Sequence, residues 1–318
     1  MRITIVGPGG VGGLLAGLLA RAGESVAVLA RGRALDAIRS EGLRVDSPLG
    51  TFTQRVAACA DEPHVLGPSD AVIVAVKAWQ VAEVAPKLAP LIDSNTVVVP
   101  LENGVEAAAR LGAVLGEGRV ANGLVNVLAW LEAPGRVKHV GGKPRLVVGE
   151  RGLRGAERSP RLEALAAALE KAGCEVALSP DIERASWEKF LMIEPWGAVA
   201  ALARAPVGVV RSVPEARALL QAAQEELAAV GRAHGVAIPA DAPARTLAFL
   251  DGLTPEATAS MQRDLGAGRP SELEDQTGAV VRLAREAGVK VPVHEVLYAA
   301  LLPQDRAARG AIHAFART

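Results

Sequence analysis

Short valine-rich runs alternate with longer stretches of helical periodicity through the first half of the chain. Arg2 to Val6 is one such run; a helical stretch to Ala22, a second run from Ser25 to Leu29 and a helical stretch from Ala34 to Glu41 follow it. Further strands are predicted at Ala71 to Val76, Thr96 to Val99 and Arg119 to Val125, with a helix from Trp79 to Ile92 between the first two. That order predicts an α/β domain with a parallel sheet covered by helices. From Gly135 to Glu150 the Val-rich runs are broken by Gly141, Gly142, Lys143 and Pro144, which predicts a hairpin closing this domain; a short helix and strand then reach Leu178. Beyond Asp181 the periodicity is helical, with stop signals at Gly208, Gly235, Gly252, Gly266 to Pro270 and Gly288. The expected division is therefore residues 1–180 and an all-helical domain over residues 181–318, joined without a low-complexity linker and packed with a cleft between them.

Composition narrows this picture. Half the residues are hydrophobic and only 3% aromatic, so the cores must be built from Ala, Val and Leu. Lys plus Arg equals Asp plus Glu at 35 each, which gives no field to attract nucleic acid or an anionic membrane and leaves a small molecule as the expected partner. No stretch reads as a signal peptide or as a run of about 18 apolar residues, so a soluble, cytoplasmic protein is expected. Cys59 and Cys174 lack metal-ligand spacing and read as structural thiols. The five histidines are scattered; no metal site is expected, and His139 and His294 read as structural or surface residues.

Chemistry enters after the first strand. Gly7-Pro8-Gly9-Gly10-Val11-Gly12 follows a strand and opens a helix, the setting in which glycines shape a dinucleotide-binding turn. Gly7 permits the tight turn, Gly9 lets backbone amides approach a pyrophosphate, and Gly12 allows helix and strand to pack closely. The first domain is thus expected to be of Rossmann type. Where an NAD-selective protein carries an acid after the second strand, this chain reads Ala30-Arg31-Gly32-Arg33. Two guanidiniums there suit the 2′-phosphate of NADP(H), although one of them, Arg33 above all, also fits a solvated loop position.

Residues just beyond strand ends come next, because ligands of open α/β sheets bind there. Lys77 follows Val76, and Asn103 with Gly104 follows Val99 through Pro100-Leu101-Glu102. The chain has only seven lysines, and two of them, Lys77 and Lys189, stand in apolar settings. A lysine in a desolvated pocket can act as a general acid where arginine cannot; a surface lysine on a helix from Ile182 to Ile193 is the alternative. Thr254-Pro255 reads as an N-cap with proline at the first helical position, starting a helix that carries Ser260 and Asp264 on one face. Ser271 with Glu274 reads as a capping box that puts Glu272 at the start of the next helix, where it fits dipole compensation.

These segments together resemble the ketopantoate reductase family, whose members reduce 2-dehydropantoate to pantoate with NADPH on the route to pantothenate and coenzyme A. The resemblance spans the chain: Gly7 to Gly12, Val76 to Gln80, Asn103-Gly104, Pro134 to His139, Trp187-Glu188-Lys189, and Ser260-Met261 through Asp264 to Glu272. It implies a Rossmann domain followed by a helical domain like that of 6-phosphogluconate dehydrogenase. It also implies Lys189 as proton donor, Glu272 as the group that orients substrate and lysine, Asn103 near nicotinamide and substrate, and Ser260 on the substrate carboxylate. Lys77 would lie beside cofactor and substrate, Arg31 on the 2′-phosphate, and the assembly would be a homodimer. One departure stands out. Family members commonly carry asparagine four and eight residues after the lysine, whereas this chain has Ile193 and Gly197 and no asparagine after Asn126. Amide recognition discriminates sharply between substrates, so another small 2-oxo acid or carbonyl, or a non-catalytic NADP(H) sensor, stands as the alternative reading.

Overall fold

The computed structural model of the chain describes residues 1–152 and 159–312. The chain divides into two compact units, one of residues 1–102 and 107–185, the other of residues 103–106 and 186–318.

The first unit opens with β1 (Arg2–Val6), α1 (Gly10–Arg21), β2 (Ser25–Leu29) and α2 (Gly32–Glu41). It continues through β3 (Leu43–Asp46), β4 (Phe52–Gln54), β5 (Ala58–Ala60), α3 (Pro63–Leu66), β6 (Ala71–Val74), α4 (Val81–Val84), β7 (Val97–Pro100) and α5 (Ala107–Leu115). It ends with β8 (Ala121–Ala133), β9 (Arg136–Glu150), α6 (Pro160–Lys171) and β10 (Glu175–Leu178). One sheet runs β5-β2-β1-β6-β7 with every pair parallel. Successive side chains of a strand point to opposite faces, which sorts its residues between two cores. Ile3, Ile5, Val26, Val28 and Ile73 join Leu14, Leu15 and Leu19 of α1 in one core, while Val6, Ala27, Val72, Val74 and Val98 face the other. This double burial is why the strands read as uninterrupted apolar runs. Thr4 is the polar exception, fully buried with its Oγ1 2.7 Å from Ser69 Oγ.

A second sheet, β10-β9-β3-β4 with β8 on β9, corrects the expected hairpin. Its turn lies at Pro134-Gly135, where Gly135 has φ +69°, and β8 extends eight residues past Val125, from Asn126 to Ala133. Residues 141–144 are no turn. Asn126 pairs with Arg145 and Leu128 with Val140, so Gly141 to Pro144 bulge out of the ladder opposite Val127. The helix expected from Trp79 to Ile92 is also corrected, since only Val81–Val84 is α-helical and it is flanked by 3₁₀ turns at Ala78–Gln80 and Ala85–Leu91. Pro86 and Pro90 lack the amides that α-type bonding needs, and the tighter turn takes over.

The second unit takes most of α7 (Ile182–Ala203), then α8 (Val207–Ser212), α9 (Pro214–Ala233), α10 (Ala242–Asp251), α11 (Ser260–Gly266), α12 (Thr277–Ala287) and α13 (Pro292–Ala308). Three local expectations fail here for tertiary reasons. Gly208 lies inside α8 rather than stopping a helix: its amide donates to Pro255 O at 2.9 Å, and a Cβ on it would stand 2.6 Å from Pro255 Cβ. The same contact, with Val207 N donating to Ala257 O, holds residues 254–259 out of helix, so α11 starts at Ser260 and not at Pro255. Ser271 gives its amide and hydroxyl to Asp305 Oδ1 instead of building a capping box, and Glu272 sits in a turn before α12 begins at Thr277. α7 also runs past Ile193, carrying Pro195 within 22 continuous helical residues.

His294 is a charged core residue. Its Nδ1 is 2.7 Å from Glu226 Oε2 and its Nε2 2.9 Å from Glu194 Oε2, with both Glu194 and His294 fully buried. Burial opposes the imidazolium, but Glu194 and then Glu226 outweigh it and raise the His294 pKa to about 9. Glu226 also accepts the amides of Val293 and His294, capping α13. Because the folded pKa exceeds the unfolded value, this stabilisation is complete below about pH 6.5 and is lost as pH rises through about 9. His294→Gln is expected to cost about 3 kcal/mol at pH 6, and denaturant titrations should show the difference from the parent shrinking by pH 9.5. A difference independent of pH would contradict the charged assignment. His139 is also structural, buried against Ser47 Oγ at 2.8 Å, and burial lowers its pKa. Burial likewise pushes the Cys59 and Cys174 thiols up to about 11 and about 12.

No described helix is long and apolar enough to cross a membrane.

Candidate active site

In the first unit the glycine-rich turn is built as a cradle. Gly7 has φ +88° and a Cβ on it would meet Val76 Cγ1 at 2.7 Å. Cβ atoms on Gly10 and Gly12 would run into the Ala129 and Gly7 carbonyl oxygens, so both are required by packing alone. Gly9 differs, because the nearest atom to its Cβ position is Ala75 O at 4.0 Å. It is the N-cap of α1, no side chain caps that helix, and no acid lies in its first turn. The leading amides thus have no side-chain cap and no acid of their own at the positive end of a helix dipole, a fit for a pyrophosphate. Pro8 and Val11 complete the turn.

Arg31 is the N-cap residue of α2 and is exposed, with Nη1 3.3 Å from Glu83 Oε1; Arg33 is exposed as well. Lys77 is exposed at the start of the 3₁₀ turn after β6, its Nζ 5.7 Å from the centre of the Trp79 ring. Glu102, which sequence reasoning missed, is buried and accepts the Val76 amide at 3.1 Å, fixing the segment that leads to Lys77. A carboxylate between a buried strand and the Asn103-Gly104 pair was the available signal.

In the second unit a chain of hydrogen bonds joins three of the expected residues. Lys189 Nζ on α7 donates to Asn103 Oδ1 at 3.2 Å, and Asn103 Nδ2 donates to Glu272 Oε2 at 3.3 Å. Gly104 makes this approach possible: at φ +111°, its Cβ position is 3.0 Å from Asp275 O in the turn that carries Glu272. Lys189 is half-buried beside the fully packed Phe190. Desolvation lowers its pKa to about 8, although Glu272 pulls the other way, which leaves an ammonium able to release its proton near neutrality.

Gln276, buried, donates to the same Glu272 oxygen at 3.4 Å. Sequence reasoning missed it; its signal is an amide one helical turn, four residues, after Glu272. The two positions expected to carry asparagine are apolar in their surroundings. Ile193 packs with the Trp187 and Phe190 cluster, and Gly197 is closed over by Met261 Cε at 3.2 Å and Ala259 Cβ at 3.6 Å from its Cβ position. Ser260, between those two residues, is the half-buried first residue of α11.

A parallel sheet ending in a bare helix N-terminus, followed by a helical unit holding a depressed-pKa lysine, defines an oxidoreductase of nicotinamide-dinucleotide type. The ketopantoate reductase PanE/ApbA profile matches residues 3–152, and the profile for the C-terminal part of the same family matches residues 181–304. The chain belongs to the ketopantoate reductase family. A 2-dehydropantoate 2-reductase of Halobacterium salinarum is 32% identical over 298 residues, covering 93% of this chain and 96% of that one. An uncharacterized oxidoreductase of Bacillus subtilis, YkpB, is 30% identical over 304 residues, covering 95% and 98%. The crystal structure of a PanE/ApbA family ketopantoate reductase from Ralstonia eutropha superimposes with a TM-score of 0.87 at 29% identity, covering 97% of this chain and all of that one.

Proposed function

We propose that the chain reduces 2-dehydropantoate to (R)-pantoate with NADPH. The observation that carries this reading is the Lys189–Asn103–Glu272 chain, in which burial brings the lysine pKa to about 8. Gly7, Pro8, Gly9, Gly10, Val11 and Gly12 would hold the pyrophosphate, Arg31 the 2′-phosphate, and Lys77 with Asn103 the neighbourhood of the nicotinamide. The bound dinucleotide supplies a hydride to the carbonyl carbon of the substrate.

The protein's own part is binding and proton delivery. As the carbon–oxygen π bond gives its electrons to oxygen, negative charge grows there, and the Lys189 ammonium is the cation placed to stabilise it. Lys189 then passes a proton from Nζ to that oxygen and is left as the neutral amine, which solvent reprotonates. Asn103 holds the ammonium by its carbonyl while its amide is held by Glu272, so the carboxylate positions the acid through the amide. Ser260 is assigned to the substrate carboxylate.

Ile193 and the closed-over Gly197 favour a second reading, in which the same chemistry serves another small, branched 2-oxo acid. The deciding experiment is steady-state oxidation of NADPH, in parallel with NADH, against 2-dehydropantoate and a panel of 2-oxo acids. Selective turnover of 2-dehydropantoate supports the first reading and selective turnover of another acid the second. Dinucleotide binding with no turnover of any of them would overturn both in favour of a sensor.

A further inference from the structure

The segment after β2 carries a positive charge with no acid of its own, yet a carboxylate has been brought to it from another element. Arg31 Nη1 is 3.3 Å from Glu83 Oε1 on α4, 52 residues away in sequence. The same oxygen accepts from Lys87 Nζ at 3.0 Å, one helical turn along. Lys87 first, and Arg31 after it, hold the Glu83 carboxyl below its usual range, so it is an anion across the working pH range. Both side chains of the Arg31–Glu83 pair are largely solvent-exposed, at 70% and 51%. An exposed pair of this kind adds little to stability, and nothing in the packing requires it.

We propose that Glu83 sets the selectivity between phosphorylated and unphosphorylated dinucleotides, by competing with the 2′-phosphate for Arg31 and by offering an acceptor to a free 2′-hydroxyl. The inference rests on the dinucleotide reading given above. A carboxylate in this place is chemically what NAD-selective proteins carry after the second strand, here delivered from α4. A 2′-phosphate arriving at Arg31 meets Glu83 as a like charge a few ångströms away, and Lys87 is positioned to retain the carboxylate once Arg31 leaves it. An unphosphorylated ribose meets no repulsion. The Arg31–Glu83–Lys87 set therefore moderates the preference that two arginines alone would impose.

The test is the ratio of NADH to NADPH dissociation constants, measured by titration of the full chain and its variants at low and high salt. Glu83→Gln is expected to raise that ratio about fivefold at low ionic strength, mostly through tighter NADPH binding, with the gain shrinking at 0.5 M salt. In an Arg31→Ala background the same substitution should raise the ratio by clearly less, since competition for the guanidinium is gone and only the repulsion and the hydroxyl acceptor are left to remove. An unchanged ratio in the single variant, weaker NADPH binding, or an effect undiminished without Arg31 would each overturn the proposal while leaving the dinucleotide reading intact. Failure of the parent chain to bind either dinucleotide would instead bring down the reading on which it rests.

Discussion

Lys189→Ala is expected to lower turnover about a thousandfold, within the 10²–10⁴ range of general acid catalysis, while leaving the NADPH dissociation constant within about twofold. Two features separate this from general damage to the fold. The lysine charge sits against a desolvation cost, so removing it should not destabilise the helical unit on that account, and thermal unfolding should confirm a folded variant. The pH dependence should change as well. Reduction requires the ammonium, so its rate should fall as pH rises through about 8, whereas the reverse oxidation requires the amine and should rise through the same range. Both dependences should vanish in Lys189→Ala. Lys189→Arg keeps the charge but cannot release a proton, so it should behave like alanine in turnover. Full activity in the arginine variant would show that the group is an electrostatic anchor and not a proton donor.

Gly9→Ala and Gly12→Ala are expected to lose NADPH binding for different reasons. At Gly9 the protein leaves room for a methyl group, so the variant should unfold at the parent temperature. Its methyl would occupy the space before the first amides of α1, and binding should weaken about 10- to 100-fold, the range set by 1–3 kcal/mol of overpacking. At Gly12 a Cβ meets the Gly7 carbonyl oxygen, so the turn itself must shift and stability should fall together with affinity. Calorimetric unfolding and NADPH titration of the two variants give the comparison. Unimpaired binding by the Gly9 variant would mean that the pyrophosphate does not lie on this helix end.

How far the sequence reached depended on whether a feature was local. β1, β2 and the glycine turn were legible because strand, turn and helix start lie within about 20 residues and each carries its own pattern. The segment after β6 is not legible as a 3₁₀ turn because its apolar spacing suits an α-helix, while Pro86 and Pro90 forbid the α-type bonds. The glycines at 141–142 and 208 signal irregularities in the sequence, but their form, a bulge and a close approach rather than a turn and a stop, depends on a partner strand and on Pro255, both remote in sequence. Lys189, Asn103 and Glu272 take their roles from the family resemblance; spacing alone favours a surface lysine at 189 and a dipole-compensating acid at 272.

What the sequence determined by itself, then, was the alternation that makes a parallel sheet, the helical character of the second half, and the glycines that leave a helix end bare. Those properties follow from short-range sterics and from the period of apolar residues. Only the tertiary structure decided that Asn103, from the strand-rich half, joins Lys189 and Glu272, that Gln276 supplies an amide beside Glu272, and that Glu83 answers Arg31. It also made His294 an imidazolium between two carboxylates. The physical reason is the same in each case: pKa values and hydrogen-bond partners are set by what surrounds a side chain in space, and in these sites the deciding neighbours lie as far as 169 residues away along the chain.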